Sequence, residues 1–341
     1  MLRTNANGRI AQSVEQLTLN QRVPGSNPGA STILSPGTAR LPGPLQNLYL
    51  LHARPYGAGE WDALASRHIL ATGAGGTERD MAKINGKSIL NALNGVFEWA
   101  DRRGYLPPMP TFLEDYSDYP DLRRLEEAWP EINAECARMI ADRSAVTDIK
   151  DLGGNYTAGG IHVIKWKSFV LYAGETLQEN AKICPKTAEV LAGIPGIYLA
   201  FFSILEPEQY ITPHWGYYKG LLRYHLGVII PKNNTDQECW LRINTDKADN
   251  ESRELARVER GEKYYWHNGK GMFFDDTRLH DAANESKEVR VVLWVDVRRK
   301  LPWWLDGLNR GLLALVVRST FLAKLRNNAN VDTSKFTSWA G

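Results

Sequence analysis

The sequence predicts an α+β fold, mainly β, in which a jelly-roll core has helices before it and an amphipathic helix after it. Three observations predict this class. Helix formers dominate over residues 61–103, with apolar positions at three- and four-residue steps, and again over residues 121–143. Beyond Gly153 and Gly154, short apolar or alternating runs are separated by turn residues. Beyond Pro302 the helical period returns.

The composition excludes several classes of protein. Of 341 residues, 43% are hydrophobic and 23% charged, and the formal net charge of +2 gives no basic field for nucleic acid. Cys136, Cys184 and Cys239 are widely separated and lack the paired spacing of zinc sites. The sequence contains no run of roughly 18 apolar residues, the length needed to span a bilayer. We therefore expect a cytoplasmic protein without a nucleic-acid partner.

Residues 1–46 are predicted to be a disordered leader. Prolines with interleaved Gly, Ser and Asn, and no sustained apolar period, are typical of disorder. The run "RVPGSNPG" also back-translates into a stretch that resembles the T-arm of a transfer-RNA gene. Two explanations stay open, spurious translation from a mis-assigned start and a genuine flexible leader, because both have a disordered composition.

Residues 47–117 are predicted to be a helical region and a proline-rich linker. Helix formers run from Trp61 to Arg103, Gly104 supplies a stop, and "PPMP" at 107–110 makes the linker.

Residues 118–300 are predicted to form the jelly-roll domain. It begins with a helix over 121–143, which Pro130 is expected to kink or split. Seven short strands in one block favour a sandwich or barrel of the jelly-roll kind. These strands are predicted over residues 162–172, 196–205, 222–231, 239–244, 263–269, 271–276 and 289–297.

Residues 301–341 are predicted to be an amphipathic helix and a tail. An apolar stripe lies on one side of the helical wheel and charged residues on the other. Two interpretations are open: a terminal helix packed on the barrel, and a basic helix that contacts a membrane through residues 301–326. The second would make the protein peripheral at the inner membrane face. The stripe consists of Trp304, Leu308, Leu312, Leu315 and Leu322.

Two histidines are candidate metal ligands. His214 ends a strand-like stretch, and His280 follows a strand and an acidic turn, so two distant strands can bring them together at the open end of one barrel. Neutral imidazole binds Fe(II) well, and non-haem oxygenases use two histidines with a carboxylate. The position where many such enzymes place that carboxylate, two residues after the first histidine, is Gly216.

Two arginines suit a dicarboxylate co-substrate. Arg223 lies two residues before His225 on the same face of a strand, and Arg290 begins the last strand. A planar guanidinium binds a carboxylate bidentately, so two strand-borne arginines near two candidate iron ligands make chemical sense together.

Four motifs resemble the aspartyl/asparaginyl β-hydroxylase family. They are "FFSILEPEQYITPHWG" (201–216), "LLRYHLGVIIP" (221–231), "FFDDTRLHDAANES" (273–286) and "VRVVLWVDV" (289–297). The family comprises Fe(II)- and 2-oxoglutarate-dependent dioxygenases with a double-stranded β-helix, or cupin-like, core. The resemblance runs from about residue 120 to residue 300.

The resemblance implies a role for each matching residue. The cofactors are Fe(II), 2-oxoglutarate as co-substrate and O2. His214 and His280 bind the iron and, with Arg290, are catalytic. The residues that bind 2-oxoglutarate are Trp166, Ser203, Arg223, His225 and Arg290.

The glycine at position 216 implies a two-histidine iron site in which water replaces the carboxylate, as in the peptide hydroxylases of the family. Asp276, four residues before His280, is expected to hydrogen-bond that water. Asp275 is as near in the sequence, but on a strand it would point to the other face.

Three hypotheses about function stay open. Gly216 favours hydroxylation of a peptidyl aspartate or asparagine, although Phe201 stands where the vertebrate-type peptide enzymes carry a lysine. The motif "LLRYHLG" (221–227) and the basic C-terminal helix resemble those of bacterial hydroxylases that act on acyl chains of lipid A or ornithine lipids. A protein of another class, a non-catalytic jelly-roll binding module that has lost iron, would also explain the missing carboxylate.

Overall fold

The computed structural model of this protein describes residues 86–142, 146–152, 164–216 and 218–332. The predicted leader 1–46, and the predicted helical residues 61–85, lie outside the described residues. The part of that helical region that is described, Gly86–Arg102 (α1), is a helix, and Gly104 follows it with a φ of +72°. Because a positive φ suits glycine best, Gly104 ends the helix as predicted.

Two antiparallel sheets form the centre of the described chain. One has six strands in the order β1-β2-β3-β10-β5-β8, and the other has four in the order β4-β9-β6-β7. The strands are β1 Thr147–Asp148, β2 Trp166–Ala173, β3 Ile197–Leu205, β4 Gln209–His214, β5 Leu221–Ile229, β6 Cys239–Asn244, β7 Glu262–Tyr265, β8 Gly271–Phe274, β9 Leu279–Asn284 and β10 Arg290–Arg298. This is the predicted jelly roll.

The side chains of β3 alternate between two apolar clusters, one on each face of the six-stranded sheet. Leu199, Phe201 and Leu205 belong to the apolar cluster between the two sheets, whereas Phe202 and Ile204 belong to the cluster on the outer face of the six-stranded sheet. Successive side chains of a strand point to opposite faces, so a strand buried on both faces is apolar throughout. Its continuous apolar run is therefore a consequence of helices covering the outer face.

Those covering helices come from two segments. The first is the predicted helix 121–143, which is split into α2 (Arg123–Glu127) and α3 (Trp129–Ala141). Pro130 lies in the first turn of α3, where its missing N–H breaks no hydrogen bond, so the split occurs just before it. The second consists of α4 (Gln178–Ile183) and α5 (Pro185–Ala192).

The sequence missed β9, which is polar yet buried along its whole length. Hydrogen bonds satisfy its polar side chains. Asp281 accepts two bonds from Arg242 and one from Tyr210, and the Asn284 amide donates to three backbone carbonyls. A buried polar group is tolerated when it is hydrogen-bonded, and hydrophobic periodicity cannot detect such a strand.

The C-terminal segment contains two helices where one was predicted. These are α7 (Trp303–Val317) and α8 (Thr320–Ala329), and the Ser319 hydroxyl between them accepts a hydrogen bond from Leu322 N at 3.3 Å as the N-cap of α8. No helix among these described residues is long and apolar enough to cross a membrane.

The predicted apolar stripe of α7 does not face the barrel. The helix buries Leu305, Asn309 and Leu313 instead. Asn309 accounts for the difference, because its amide donates to Gly220 O at 2.9 Å and a hydropathy wheel counts it as polar. Trp304, Leu308 and Leu315 of the stripe remain exposed, Leu315 to 66%. Leu322, the fifth residue of the stripe, lies on α8 and is buried in the cluster between the two sheets, so the stripe is divided between the surface and the barrel.

Candidate metal centre

His214 and His280 face each other across neighbouring strands. His214 is the last residue of β4, His280 is the second of β9, and the antiparallel register pairs them directly. Their ring centroids are 4.2 Å apart. Both rings line one cavity between the two sheets, so the strands bring the predicted ligands together as the sequence suggested.

Backbone carbonyls fix the tautomer of each imidazole. His214 Nδ1 lies 2.8 Å from Thr212 O, and His280 Nδ1 lies 2.7 Å from Arg278 O. A carbonyl can only accept a hydrogen bond, so each Nδ1 carries the proton and each Nε2 keeps its lone pair. Metal-binding histidines are typically oriented by such a bond from the other ring nitrogen.

The cavity also keeps both imidazoles neutral. Burial lowers the pKa of His214 to about 4, with smaller effects from the charges of Arg223 and Arg253. Burial likewise lowers the pKa of His280 well below its usual value. Only the neutral ring can bind a metal, so at neutral pH both side chains are in the form that a ferrous ion requires.

Asp276 occupies the space next to Gly216. The Gly216 N–H donates to the backbone carbonyl of Asp276 at 2.6 Å, and a Cβ added to Gly216 would overlap the Asp276 carboxylate. Among the residues that the structure describes, no group of three or more His, Cys, Asp or Glu side chains could hold a metal ion. The described residues thus bring two candidate histidine ligands together, and the Asp276 carboxylate lies against Gly216.

Arg223 is bound on both sides by carboxylates. Its Nε lies 2.9 Å from Asp296 Oδ1, its Nη2 lies 2.8 Å from Asp276 Oδ2, and its guanidinium stacks on Trp294 with 3.6 Å between Cζ and the ring centroid. Burial raises the pKa of Asp276 to about 7, and the charge of Arg223 opposes this rise. These contacts give Arg223 a role that the sequence did not suggest, holding Asp276 over Gly216; its contact with 2-oxoglutarate stays a prediction.

Asp275 points away from this network. It forms a buried ion pair with Arg299 and accepts a hydrogen bond from the Thr277 hydroxyl at 2.6 Å. It lies in the turn after β8, which ends at Phe274, rather than on a strand as predicted.

Arg290 and His225 have buried polar atoms without partners. The Arg290 side chain is 2% exposed, its Nε has no hydrogen-bond partner among the described residues, and Nη1 makes one 3.5 Å contact with Ser203 O. Both ring nitrogens of His225 are buried without a hydrogen-bond partner. Leaving such atoms unpaired costs about 1–3 kcal/mol each, more for a charged group, so a ligand with acceptor atoms fits this end of the cavity.

Burial also shifts the pKa values of Arg290 and His225. It lowers the pKa of Arg290 to about 10, and that of His225 well below its usual value. Beside them the Trp166 indole donates to the Ser203 hydroxyl at 2.9 Å. Trp166, Ser203, His225 and Arg290 all line the same cavity as the two histidines.

Three residues of the site were not predicted from the sequence. Trp294 and Asp296 lie on the same face of β10 as Arg290, and they pair with His225 and Arg223 across the sheet. The period of two on β10 could have found both. Trp266, whose buried indole N–H has no partner among the described residues, follows β7 and carries no such signal.

Comparison with known proteins identifies the family. The family described as aspartyl/asparaginyl β-hydroxylase matches residues 126–300, and the chain belongs to it. The chain is 30% identical over 223 residues to the ornithine lipid ester-linked acyl 2-hydroxylase of Rhizobium tropici, covering 65% of this chain and 73% of that protein. The predicted resemblance, and with it the prediction of an enzyme, is confirmed.

Two animal relatives match shorter parts. Aspartate β-hydroxylase domain-containing protein 2 of Xenopus tropicalis is 29% identical over 202 residues, which cover 56% of this chain and 48% of that protein. The human aspartyl/asparaginyl β-hydroxylase is 29% identical over 152 residues, which cover 40% of this chain and 17% of that protein. The chain therefore spans less than half the length of these two relatives.

The histidine pair gives a direct test. We expect His214→Ala and His280→Ala each to abolish stoichiometric Fe(II) binding, because either change leaves a single imidazole. Anaerobic titration with Fe(II), followed by metal analysis, measures this. His267→Ala is the matched control, since His267 is exposed and bonds to Asn233 O instead. Wild-type iron affinity in either ligand variant would show that the ligands are elsewhere.

The contact between Gly216 and Asp276 gives a second test. We expect Gly216→Ala to weaken Fe(II) binding about 10- to 100-fold, because the added methyl group displaces a carboxylate that orients the site. Gly307→Ala is the control, since a Cβ there meets nothing within 4 Å. Equal Fe(II) dissociation constants for wild type and Gly216→Ala would exclude a role for the Asp276 position.

Proposed function

We propose that this protein is an Fe(II)- and 2-oxoglutarate-dependent hydroxylase. The observation that carries the proposal is a single cavity lined by two kinds of group with unused bonding capacity. His214 and His280 are neutral imidazoles that keep the Nε2 lone pair, as a metal ligand must. Arg290 Nε and both ring nitrogens of His225 are buried without a hydrogen-bond partner among the described residues. When bound, ferrous iron with 2-oxoglutarate supplies the activation of O2 for hydroxylation of a C–H bond.

Each group of residues in the cavity would have its own role in the reaction. His214 and His280 would hold the iron. Arg290 would bind a carboxylate of 2-oxoglutarate in its planar fork, with His225 beside it and with Ser203 held by the Trp166 indole. Asp276, fixed by Arg223, would accept a hydrogen bond from a water on the iron.

The charge balance of the cavity supports a site without a third anionic ligand. Arg223 is already paired with two carboxylates, those of Asp276 and Asp296. A further carboxylate at position 216 would leave a buried negative charge without a partner, which is costly. The glycine is thus consistent with a working iron site and does not require loss of function.

Aromatic walls would protect the reaction from bulk water. Trp166, Phe274 and Trp294 line the cavity, and Trp266 stacks under Arg290 with 4.7 Å between the guanidinium Cζ and the ring centroid. Exclusion of water strengthens the electrostatic contacts inside and prevents side reactions.

For the substrate, we propose the acyl chain of a membrane lipid. The rhizobial relative, which matches 65% of the chain, is named for this activity. A second feature supports it: every large hydrophobic side chain that is exposed among the described residues lies on α1, the turn after it, or α7. We call this set the aromatic surface; it consists of Trp99, Tyr105, Trp303, Trp304, Leu308 and Leu315.

The helices that carry the aromatic surface contact the segment that follows Gly216, next to the candidate iron site. Trp99, Tyr105 and Trp304 form a ring cluster with centroid separations of 5.5–6.3 Å. The helices below it bind residues that follow Gly216 closely: Tyr218 donates to Asn309 of α7, and the Lys219 ammonium lies 2.5 Å from Glu98 of α1. Exposed tryptophans on a helix favour the interface of a bilayer.

Peptidyl aspartate or asparagine is the second candidate substrate. Family membership and the human relative support it, as does Gly216. Phe201, which packs on Trp294 with 4.9 Å between centroids, supplies no charge for an acidic side chain. The lipid is therefore the substrate to test first.

Arg290 gives a test of the activity. We expect the wild-type protein to release succinate from 2-oxoglutarate when Fe(II) is added, and Arg290→Lys to raise the KM for 2-oxoglutarate about tenfold or more, because a point charge replaces a bidentate fork. Arg310→Lys, at an exposed position on α7, is the control. No succinate release and no iron binding by wild type would refute the hydroxylase; an unchanged KM would remove Arg290 from the co-substrate site.

The aromatic surface gives a test of membrane contact. We expect the wild-type chain to co-sediment with vesicles of phosphatidylcholine and phosphatidylglycerol, and the double variant Trp303→Ser, Leu315→Ser to lose most of this binding. Both side chains are exposed, so folding should be unaffected, which thermal unfolding checks. The exposed pair Arg138→Ser, Glu189→Ser on α3 and α5 is the control. Equal sedimentation of both double variants would contradict membrane contact through this surface.

A further inference from the structure

Three tryptophans among the described residues line the cavity, and one of them has an unused indole N–H. The Trp166 indole donates to the Ser203 hydroxyl at 2.9 Å. The Trp294 indole donates to the Asp296 carboxylate at 3.0 Å. Trp266 Nε1, by contrast, is buried and has no hydrogen-bond partner in the described part of the chain. A buried indole N–H usually has a partner, so Trp266 requires an explanation.

An unpaired indole N–H is not by itself a binding site. Trp240 of β6 also has one. Its neighbours Cys239 and Leu241 belong to the cluster between the sheets, so alternation along the strand places Trp240 on the outer face of the four-stranded sheet. Trp266 lies directly after β7, which follows β6 and the short helix α6 (Leu255–Val258), and its ring belongs to the cluster between the sheets. The two tryptophans therefore share a chemical feature but not a location.

The side chains next to Trp266 also have unused hydrogen-bonding groups. Arg290 Cζ lies 4.7 Å from the centroid of the Trp266 ring, and the centroid of the His225 ring lies 5.9 Å from it. Arg290 Nε and both ring nitrogens of His225 are likewise buried without a partner among the residues described. Indole and guanidinium N–H groups can only donate, so they need acceptor oxygens, and the buried charge of Arg290 needs an anion. A carboxylate meets both requirements, whereas a water molecule supplies no charge.

A loop with an uncommon backbone conformation fixes the position of Trp266. The Asn234 amide donates to Trp266 O at 3.0 Å and to Cys239 O at 2.7 Å. Lys232, Asn233 and Asn234 have φ values of +49°, +51° and +60°. Left-handed backbone at three consecutive residues other than glycine is costly, and it persists only where the surrounding contacts require it. The backbone that carries the indole is therefore held in place before any ligand binds, as a binding site requires.

We propose that Trp266 is a further residue that binds 2-oxoglutarate, and that its indole N–H donates to the same carboxylate as Arg290. The inference rests on the proposed function. The 2-oxo acid end of 2-oxoglutarate is the end that chelates a metal, so the distal carboxylate is the one left for Arg290. Trp266 supplies a second donor to that carboxylate, and its ring face supports the guanidinium through a cation–π contact. The site thus selects a dicarboxylate with a pair of donors instead of a single arginine.

Nuclear magnetic resonance of isotope-labelled tryptophan tests this hydrogen bond directly. Zn(II), added in place of Fe(II), is diamagnetic and redox-inactive, so no turnover occurs. When 2-oxoglutarate is added, we expect the indole proton resonance of Trp266 to move downfield, because a charge-assisted hydrogen bond to a carboxylate deshields the proton. Trp266→Phe identifies the resonance by its loss. If that variant does not fold, nuclear Overhauser contacts with His225 identify the resonance in the wild-type protein.

The affinity for 2-oxoglutarate gives a second readout. We expect Trp266→Phe, which removes the N–H and keeps an aromatic ring, to raise the dissociation constant about tenfold in isothermal titration with Zn(II) present. Trp240→Phe is the matched control, because it removes a buried and unpaired N–H that lies on the other face of the sheet. We expect this control to bind like wild type. Thermal unfolding checks that both variants are folded.

Two outcomes would overturn the inference. In the first, 2-oxoglutarate binds the wild-type protein, but the Trp266 resonance stays in place or the two phenylalanine variants bind with equal affinity. Trp266 is then only a part of the apolar core. In the second, the wild-type protein binds no 2-oxoglutarate with either Fe(II) or Zn(II), and the hydroxylase proposal fails as well. Titration of the wild-type protein distinguishes the two failures.

Discussion

The pairing of β4 with β9 is the constraint on which the site depends. Its register places His214 opposite His280, and a carbonyl two residues before each histidine fixes the tautomer. A slip of one residue in this pairing would turn one imidazole to the outside of the sheet. The buried polar contacts of β9, from Tyr210 of β4 to Asp281 and around Asn284, oppose such a slip because they fit only one register.

The two arginines of the cavity differ in what they have already bound. Arg223 is paired with Asp276 and Asp296, whereas Arg290 is buried and its Nε has no hydrogen-bond partner among the described residues. A folded protein tolerates an unpaired buried cation only at a cost, and binding of an anion recovers that cost. The asymmetry therefore distinguishes two strand-borne arginines that look alike in the sequence, and it makes Arg290 the stronger candidate for binding an anion.

The sequence predicted those parts of the molecule that follow from hydrophobic periodicity and from family motifs. Strands such as Cys239–Asn244, the break at Pro130 and the meeting of His214 with His280 all agree with the structure. Periodicity could not predict what depends on hydrogen bonds between distant residues. The polar strand β9, the burial of Asn309 in α7 and the double engagement of Arg223 are of this kind.

The contact between Gly216 and Asp276 also makes the two positions depend on each other. An aspartate at 216 would need the space that the Asp276 carboxylate occupies, so that carboxylate would have to move. Without such a movement the site would hold two carboxylates in the volume of one. A third ligand at position 216 would therefore come at the expense of the ion pair that Asp276 forms with Arg223.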